Sequence, residues 1–211
     1  MSSNKKGIVF LILITLAFYE VTAQKVIRNT IVDPTISMIS IDASNSFEIE
    51  MVTHTENEMM IEAAIEGEYQ DDLQLKIDFE GTTINVGAGF DSNFKNPNDK
   101  LSAHKVISIA LKILLPEYKN VVVFGKECNV NISGNYKLLK VNLDDGLCAL
   151  NSVSEKAMIT TQSGNITVNS SEAKIVADSK YGKVTGDTFE VGENQYILST
   201  ITGNIVLNRV E

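Results

Sequence analysis

The chain has 211 residues, a formal net charge of −9, three prolines and no tryptophan. Its acidic balance argues against nucleic acid as a partner, because phosphates demand clustered Lys and Arg, and against adhesion to anionic lipid. Aromatic sugar platforms and proline-rich linkers are both poorly supplied by this composition.

At the start of the chain, Lys5 and Lys6 precede an apolar run from Ile8 to Phe18, and Val21-Thr22-Ala23 offers small residues before Gln24. That order is expected of a cleavable secretory signal over residues 1–23, cut after Ala23. The run is short against the ~20 residues that span a bilayer. No cysteine near the cut suggests a lipid anchor, and no later segment is long and apolar enough to cross. The expected mature chain is therefore exported, to the periplasm, the cell surface or the medium, without a transmembrane segment.

Residues 24–36 read as a lead-in, and 37–211 as one all-β domain. Period-2 alternation marks half-buried strands at Ile39 and Ile41, at Phe47, Ile49 and Met51, and at Leu73, Leu75, Ile77 and Phe79. Ala103–Leu115 contains good helix formers, yet Ile107, Ile109, Leu111 and Ile113 alternate with Ser108, Ala110 and Lys112. The alternation favours a strand ending at Pro116. Between these lies the longest non-repetitive loop, Gly87–Lys100. Phe90 and Phe94 within it either form a contact patch or fold back onto the strands.

The second half repeats. Aligned on Gly146, Gly164, Gly182 and Gly203, the units are spaced 18, 18 and 21 residues apart. Two positions after each glycine stand Cys148, Ile166, Val184 and Ile205, and four after stand Leu150, Val168, Gly186 and Leu207. Five before stand Val141, Ile159, Ala177 and Leu198, and seven before stand Leu139, Ala157, Ile175 and Tyr196. Each unit predicts a strand, a glycine corner and a second strand. Such a unit cannot bury its apolar face alone, so the units must stack.

A further column holds Asn151, Asn169, Asp187 and Asn208, and a shift of 20 residues back from Cys148 to Cys128 also brings in Asn131. Stacked at one corner, these side chains would form a hydrogen-bonded ladder. The same shift sets Cys128 and Cys148 inward on neighbouring units. In an oxidising compartment either a disulfide or two packed thiols satisfies that register. Val184 is expected in the buried column, and Asn204–Val210 as the final, open edge.

Ile107–Pro116, Val121-Val122-Val123-Phe124-Gly125 and Asn131-Ile132-Ser133-Gly134 together resemble the head-GIN auto-transporter adhesin family. Thr161-Gln162-Ser163-Gly164-Asn165-Ile166-Thr167-Val168 is similar to the signature of the related β-strand-repeat adhesins. The resemblance covers most of the mature chain, best from Ala103 onward. It implies a right-handed single-stranded parallel β-helix, here with coils of about 18–21 residues, and export to the envelope. It supplies no catalytic residue.

His54 and His104 lie in no nucleophile motif, and no ligand spacing suggests a metal. Asp71-Asp72 and Asp144-Asp145 are acidic doublets beside turns, whose neighbouring side chains face opposite ways on a strand. Weak calcium binding at such a turn stays open. No catalytic, cofactor or metal residues are expected. The reading is a non-enzymatic exported binding or structural module whose ligand is a glycan or a protein. One alternative is a carbohydrate-active lyase or glycosidase, recognisable by two carboxylates converging in one groove beside a basic residue. The other is an envelope scaffold or regulatory domain.

Overall fold

The computed structural model describes residues 24–67, 69–91, 94 and 107–210. Residues 1–23, expected to be a secretory signal, His104 and most of the second half of the Gly87–Lys100 loop lie outside the described residues. The strands in chain order are β1 (Lys25–Ile31), β2 (Met38–Asp42), β3 (Glu48–His54), β4 (Met59–Gly67), β5 (Leu73–Glu80), β6 (Thr83–Phe90), β7 (Ile107–Pro116) and β8 (Asn120–Glu127). There follow β9 (Asn129–Asp145), β10 (Leu147–Thr161), β11 (Asn165–Ser170), β12 (Glu172–Ser179), β13 (Val184–Gly186), β14 (Glu190–Thr200) and β15 (Ile205–Arg209). The described residues contain no α-helix, only a short 3₁₀ turn at Gln70–Asp72.

The strands build one mixed sheet that curls until it nearly closes on itself. Two ladders make up its opposite walls. The first runs β1-β4-β7-β3-β9-β10-β11-β15-β13. The second runs β5-β6-β2-β8-β9-β10-β14-β12. The long strands β9 and β10 serve both: their first halves lie in the first ladder and their second halves in the second. They turn the corner at Gly134 (φ 105°) and at Ser152 and Glu155, which both take positive φ. Inward positions alternate with outward ones, and the interior column of β8, β9, β10 and β14 contains Val123, Val141, Ile159 and Leu198, all at most 1 % exposed. Each such side chain contributes about 1.5–3 kcal/mol by leaving water.

The structure corrects the sequence-based expectation in three places. The sheet is not wholly parallel: β1 with β4, β4 with β7, and β5 with β6 are antiparallel. Period-2 alternation is the same for both senses, so it could not reveal this. A tight hairpin at Gly81 (φ 60°) turns β5 into β6.

The repeat units also stack out of sequence order. Ile166 on β11 pairs with Ile205 on β15, and Ile205 in turn with Val184 on β13. In the other ladder Ala157 pairs with Tyr196, and Tyr196 with Ile175. The unit built on Gly203 thus sits inside the one built on Gly182. The reason is side-chain size. The inner unit brings Tyr196, Leu198, Ile205 and Leu207 to the core, whereas the outer one brings Ile175, Ala177, Val184 and Gly186. Val184 is consequently 43 % exposed rather than buried, while Ile166 and Ile205 are fully covered. β15 is an interior strand, and among the described residues the edge strands at this end of the sheet are β12 and β13.

The third correction is the register of the first repeat. Cys148 pairs with Val130 and Ala149 with Asn131, an offset of 18 residues and not 20. Asn131 therefore stands opposite Ala149, outside the Asn ladder. Cys128 falls instead beside the Gly146 corner, where its carbonyl would lie 2.1 Å from a Cβ on that glycine.

The sequence left the state of the cysteines open. Cys128 and Cys148 are both buried and both free. Burial pushes each thiol from its ordinary 9.0 up to about 12. Burial raises Tyr136 and Tyr196 as well.

All four groups stay neutral in the fold while the unfolded chain begins to ionise above about pH 9, so linkage makes alkali destabilising. Stability is expected to be level up to about pH 9 and to fall from there toward pH 12. Urea midpoints at pH 8, 10 and 11 measure it. A flat profile contradicts the burial. Thiol reagents should modify two cysteines in denaturant and neither in the native protein.

Candidate functional site

The residues singled out by sequence fall in several separate places. Cys128 and Cys148 are in the core. Asn151, Asn169 and Asn208 line up on β10, β11 and β15. Asn169 Nδ2 donates to Asn151 Oδ1 at 2.7 Å and Asn208 Nδ2 to Asn169 Oδ1 at 2.8 Å. Asp187, past the end of β13, accepts the Arg209 amide at 2.8 Å. This row stitches units together, and its amides are turned to one another rather than to a ligand.

Phe90 and Phe94 stack face to face, centroids 4.1 Å apart, and Tyr69 meets both edge-on at 6.1 and 5.4 Å. The rings spend their faces on each other. The acidic doublets are turn residues: Asp145 Oδ1 accepts the Gly146 amide and Asp144 Oδ1 the Gln162 side chain. Backbone carbonyls of the 3₁₀ turn, Gln70 and Asp71 among them, accept from the Lys25 ammonium. His54 Nε2 lies 2.8 Å from the Glu58 carbonyl, closing its own turn. Among the described residues no three His, Cys, Asp or Glu side chains converge as a metal set would.

A groove of about 310 Å³ lies elsewhere, on the outer surface of the second ladder where β5, β6, β2 and β8 run side by side. The strand pattern explains the hollow. β6 turns Thr83, Asn85, Gly87 and Gly89 toward its outer face, where Gly87 lines the hollow and Gly89 is covered by Asn45 and Lys76, so two successive positions on that face carry no side chain. A Cβ on Gly87 would stand 3.3 Å from the Asp42 Cβ, and one on Gly89 3.3 Å from the Asn45 amide nitrogen. A larger residue at Gly87 would fill the depression.

Polar groups rim it. Pairing puts Asp78, Asn85 and Ser40 in one outward row, and Lys76, Gly87, Asp42 and Phe124 in the next. Asn45 reaches in from the β2–β3 turn, held by its Nδ2 donating to the Ala88 carbonyl at 2.9 Å. Asp42 Oδ1 accepts the Ser44 amide at 2.9 Å, which fixes that turn. The Phe124 ring, 41 % exposed, forms the far wall. The rim thus offers a hydroxyl, two amides, two carboxylates and an ammonium beside one aromatic face. That mixture of donors and acceptors around a small apolar surface is what a polyhydroxylated ligand requires.

No motif announced this site, because its residues come from four strands and a turn that are distant in sequence. Phe124 was visible only as part of the Val121–Gly125 block. The two outward glycines of β6 were the one local signal.

No protein-family model matches the chain, and no curated protein matches it. Solved structures do. A "putative cell adhesion protein" from Clostridium sporogenes superposes with a TM-score of 0.54 at 13 % identity, over 89 % of this chain and 100 % of that one. A "putative adhesin" from Bacteroides fragilis gives 0.35 at 11 % identity, over 89 % and 98 %. A "putative lipid binding protein" from Parabacteroides distasonis gives 0.29 at 15 % identity, over 89 % and 97 %. The first of these shows a shared fold, and at such identity the likeness shows the fold alone.

Proposed function

We propose that the chain is an exported, non-enzymatic glycan-binding module of the bacterial envelope, built as a short right-handed β-solenoid of the head-GIN adhesin type. The groove carries the reading. It sets hydrogen-bonding groups of both kinds beside one exposed ring, on four strands joined by continuous pairing from β5 to β8. The fold shared with a protein described as a cell adhesion protein, and the secretory order of residues 1–23, support the same placement.

A binding array of neutral, amino and acidic oligosaccharides tests it. The protein is expected to bind a defined subset, and Phe124→Ala or Asn45→Ala to weaken that binding at least tenfold, about 1.4 kcal/mol. Phe124 is exposed, so its loss should leave the melting temperature unchanged within a degree or two. No binding above background across the array overturns the proposal.

One observation favours a second reading. Asp42 and Asp78 share the groove with Lys76, the combination that a cleaving enzyme would need. A general acid, however, must be desolvated to hold its proton, and Asp78 is exposed while Asp42 is only half-buried. Release of reducing ends or of unsaturated products from a bound glycan, abolished by Asp42→Asn, would establish cleavage and replace the binding reading.

A further inference from the structure

Among the described residues β12 has one neighbour, β14, so its other side is an open edge. Lys180 N donates to the Thr200 carbonyl at 3.1 Å. The even-numbered residues therefore turn their backbone groups toward β14. By strand alternation Ala173, Ile175, Ala177 and Ser179 present N–H and C=O at the open side. The side chains follow the same period. Glu172, Lys174, Val176, Asp178 and Lys180 face solvent, while Ala173 is buried and Ile175, Ala177 and Ser179 are half-covered. Glu172, Lys174 and Asp178 make no ion pair within the chain among the described residues.

Edges of this kind invite pairing unless the side chains oppose it. Here the sequence is self-complementary. Reversed about Val176, Glu172 falls opposite Lys180, Lys174 opposite Asp178, and Ile175 opposite Ala177. The adjacent registers are both penalised. Centring on Ile175 sets Glu172 against Asp178, and centring on Ala177 sets Lys174 against Lys180. One register alone joins every charge to its opposite and meets the large inward residue with a small one.

We propose that two copies of this chain pair edge to edge through β12, antiparallel about a two-fold axis at Val176. The backbone groups of Ile175 and Ala177 then hydrogen-bond across the axis, and the half-covered Ile175 and Ala177 side chains close the open end of the core. The four cross-strand ion pairs fix register and orientation more than they add affinity. A closed two-fold interface of this type is isologous.

Sedimentation of protein recovered from expression of the full chain measures the association, and the dimer is expected to weaken in high salt. Lys174→Glu meets Asp178 of the second copy twice by symmetry and should raise the dimer dissociation constant at least tenfold. Lys174→Asp combined with Asp178→Lys exchanges the charges and should restore it. Both positions are exposed, so circular dichroism and melting should match the parent in every variant.

A cross-link reads the register directly. At the axis, a residue faces its own copy with Cα atoms about 4.5 Å apart, within the range a disulfide tolerates. Val176→Cys should oxidise to a covalent dimer, and Lys174→Cys should not. A strictly monomeric parent, a dimer indifferent to Lys174→Glu, or cross-linking at position 174 in preference to 176 each overturns the proposal.

Discussion

Ile205→Asp is expected to unfold the protein, and Val184→Asp to leave it folded. Both residues occupy the same column of the repeat, two places after the corner glycine, and by sequence they are equivalent. In the structure Ile205 lies between Ile166 and Val184, fully enclosed, whereas Val184 is on the edge strand and 43 % exposed. A lone carboxylate at position 205 has no counter-charge and no route to water. Leaving a buried charge unpaired costs about 3–5 kcal/mol, against a total of roughly 5–15 kcal/mol for a domain. At position 184 the carboxylate can turn outward, so the cost should stay near 1 kcal/mol, the centre of the range for point mutants. Thermal melts of the two variants decide it. Equal damage at both positions would mean that the units stack in sequence order after all.

Gly146→Ala is the second large effect. Gly146 adopts φ 104°, and an added Cβ would lie 2.1 Å from the Cys128 carbonyl oxygen and 2.7 Å from its carbon. Both obstacles are backbone, so no side chain can swing aside. The neighbouring strands would have to separate along a ladder that is fixed by hydrogen bonds on both sides. A loss of about 4 kcal/mol or more is expected, at the upper end of what single substitutions do. The control is Gly81→Ala. Gly81 also has positive φ, at 60°, but nothing lies within 4 Å of its Cβ position. That variant bears only the left-handed backbone cost of about 1–2 kcal/mol. Denaturant midpoints that fail to separate the two would show that φ alone, and not the close stacking of corners, makes Gly146 necessary.

These two tests mark the boundary of what the sequence could convey. Its columns are right in composition: Leu139, Ala157, Ile175 and Tyr196 do share one inward row, as do Val141, Ile159, Ala177 and Leu198. A column, however, is unchanged when its members are permuted. Nothing in the alignment of Gly182 with Gly203 says which unit lies outside, and only the smaller side chains of the Gly182 unit hinted at it. The misplaced Asn131 has a similar origin. Matching Cys128 to Cys148 by residue type gave a shift of 20, whereas the apolar pairing of Val130 with Cys148 and Ile132 with Leu150 gives 18. Packing outranked identity. The groove was illegible for a different reason: Ser40, Asp42, Lys76, Asp78, Asn85 and Phe124 become neighbours only because β2 inserts between β6 and β8.

The enclosed position of β15 bears on how the molecule meets force. A pull transmitted through the residues that follow β15 enters a strand that is paired with β11 on one side and β13 on the other. Drawn along its own length, such a strand must shear two rows of hydrogen bonds at once, and Ile205 must leave the core in the same step. A strand at the margin would peel away one bond at a time. Resistance under load depends on the barrier to unfolding rather than on equilibrium stability, and the out-of-order stacking raises that barrier where tension would arrive. Were the proposed binding role to load this end of the strand, its inward threading would act as a lock.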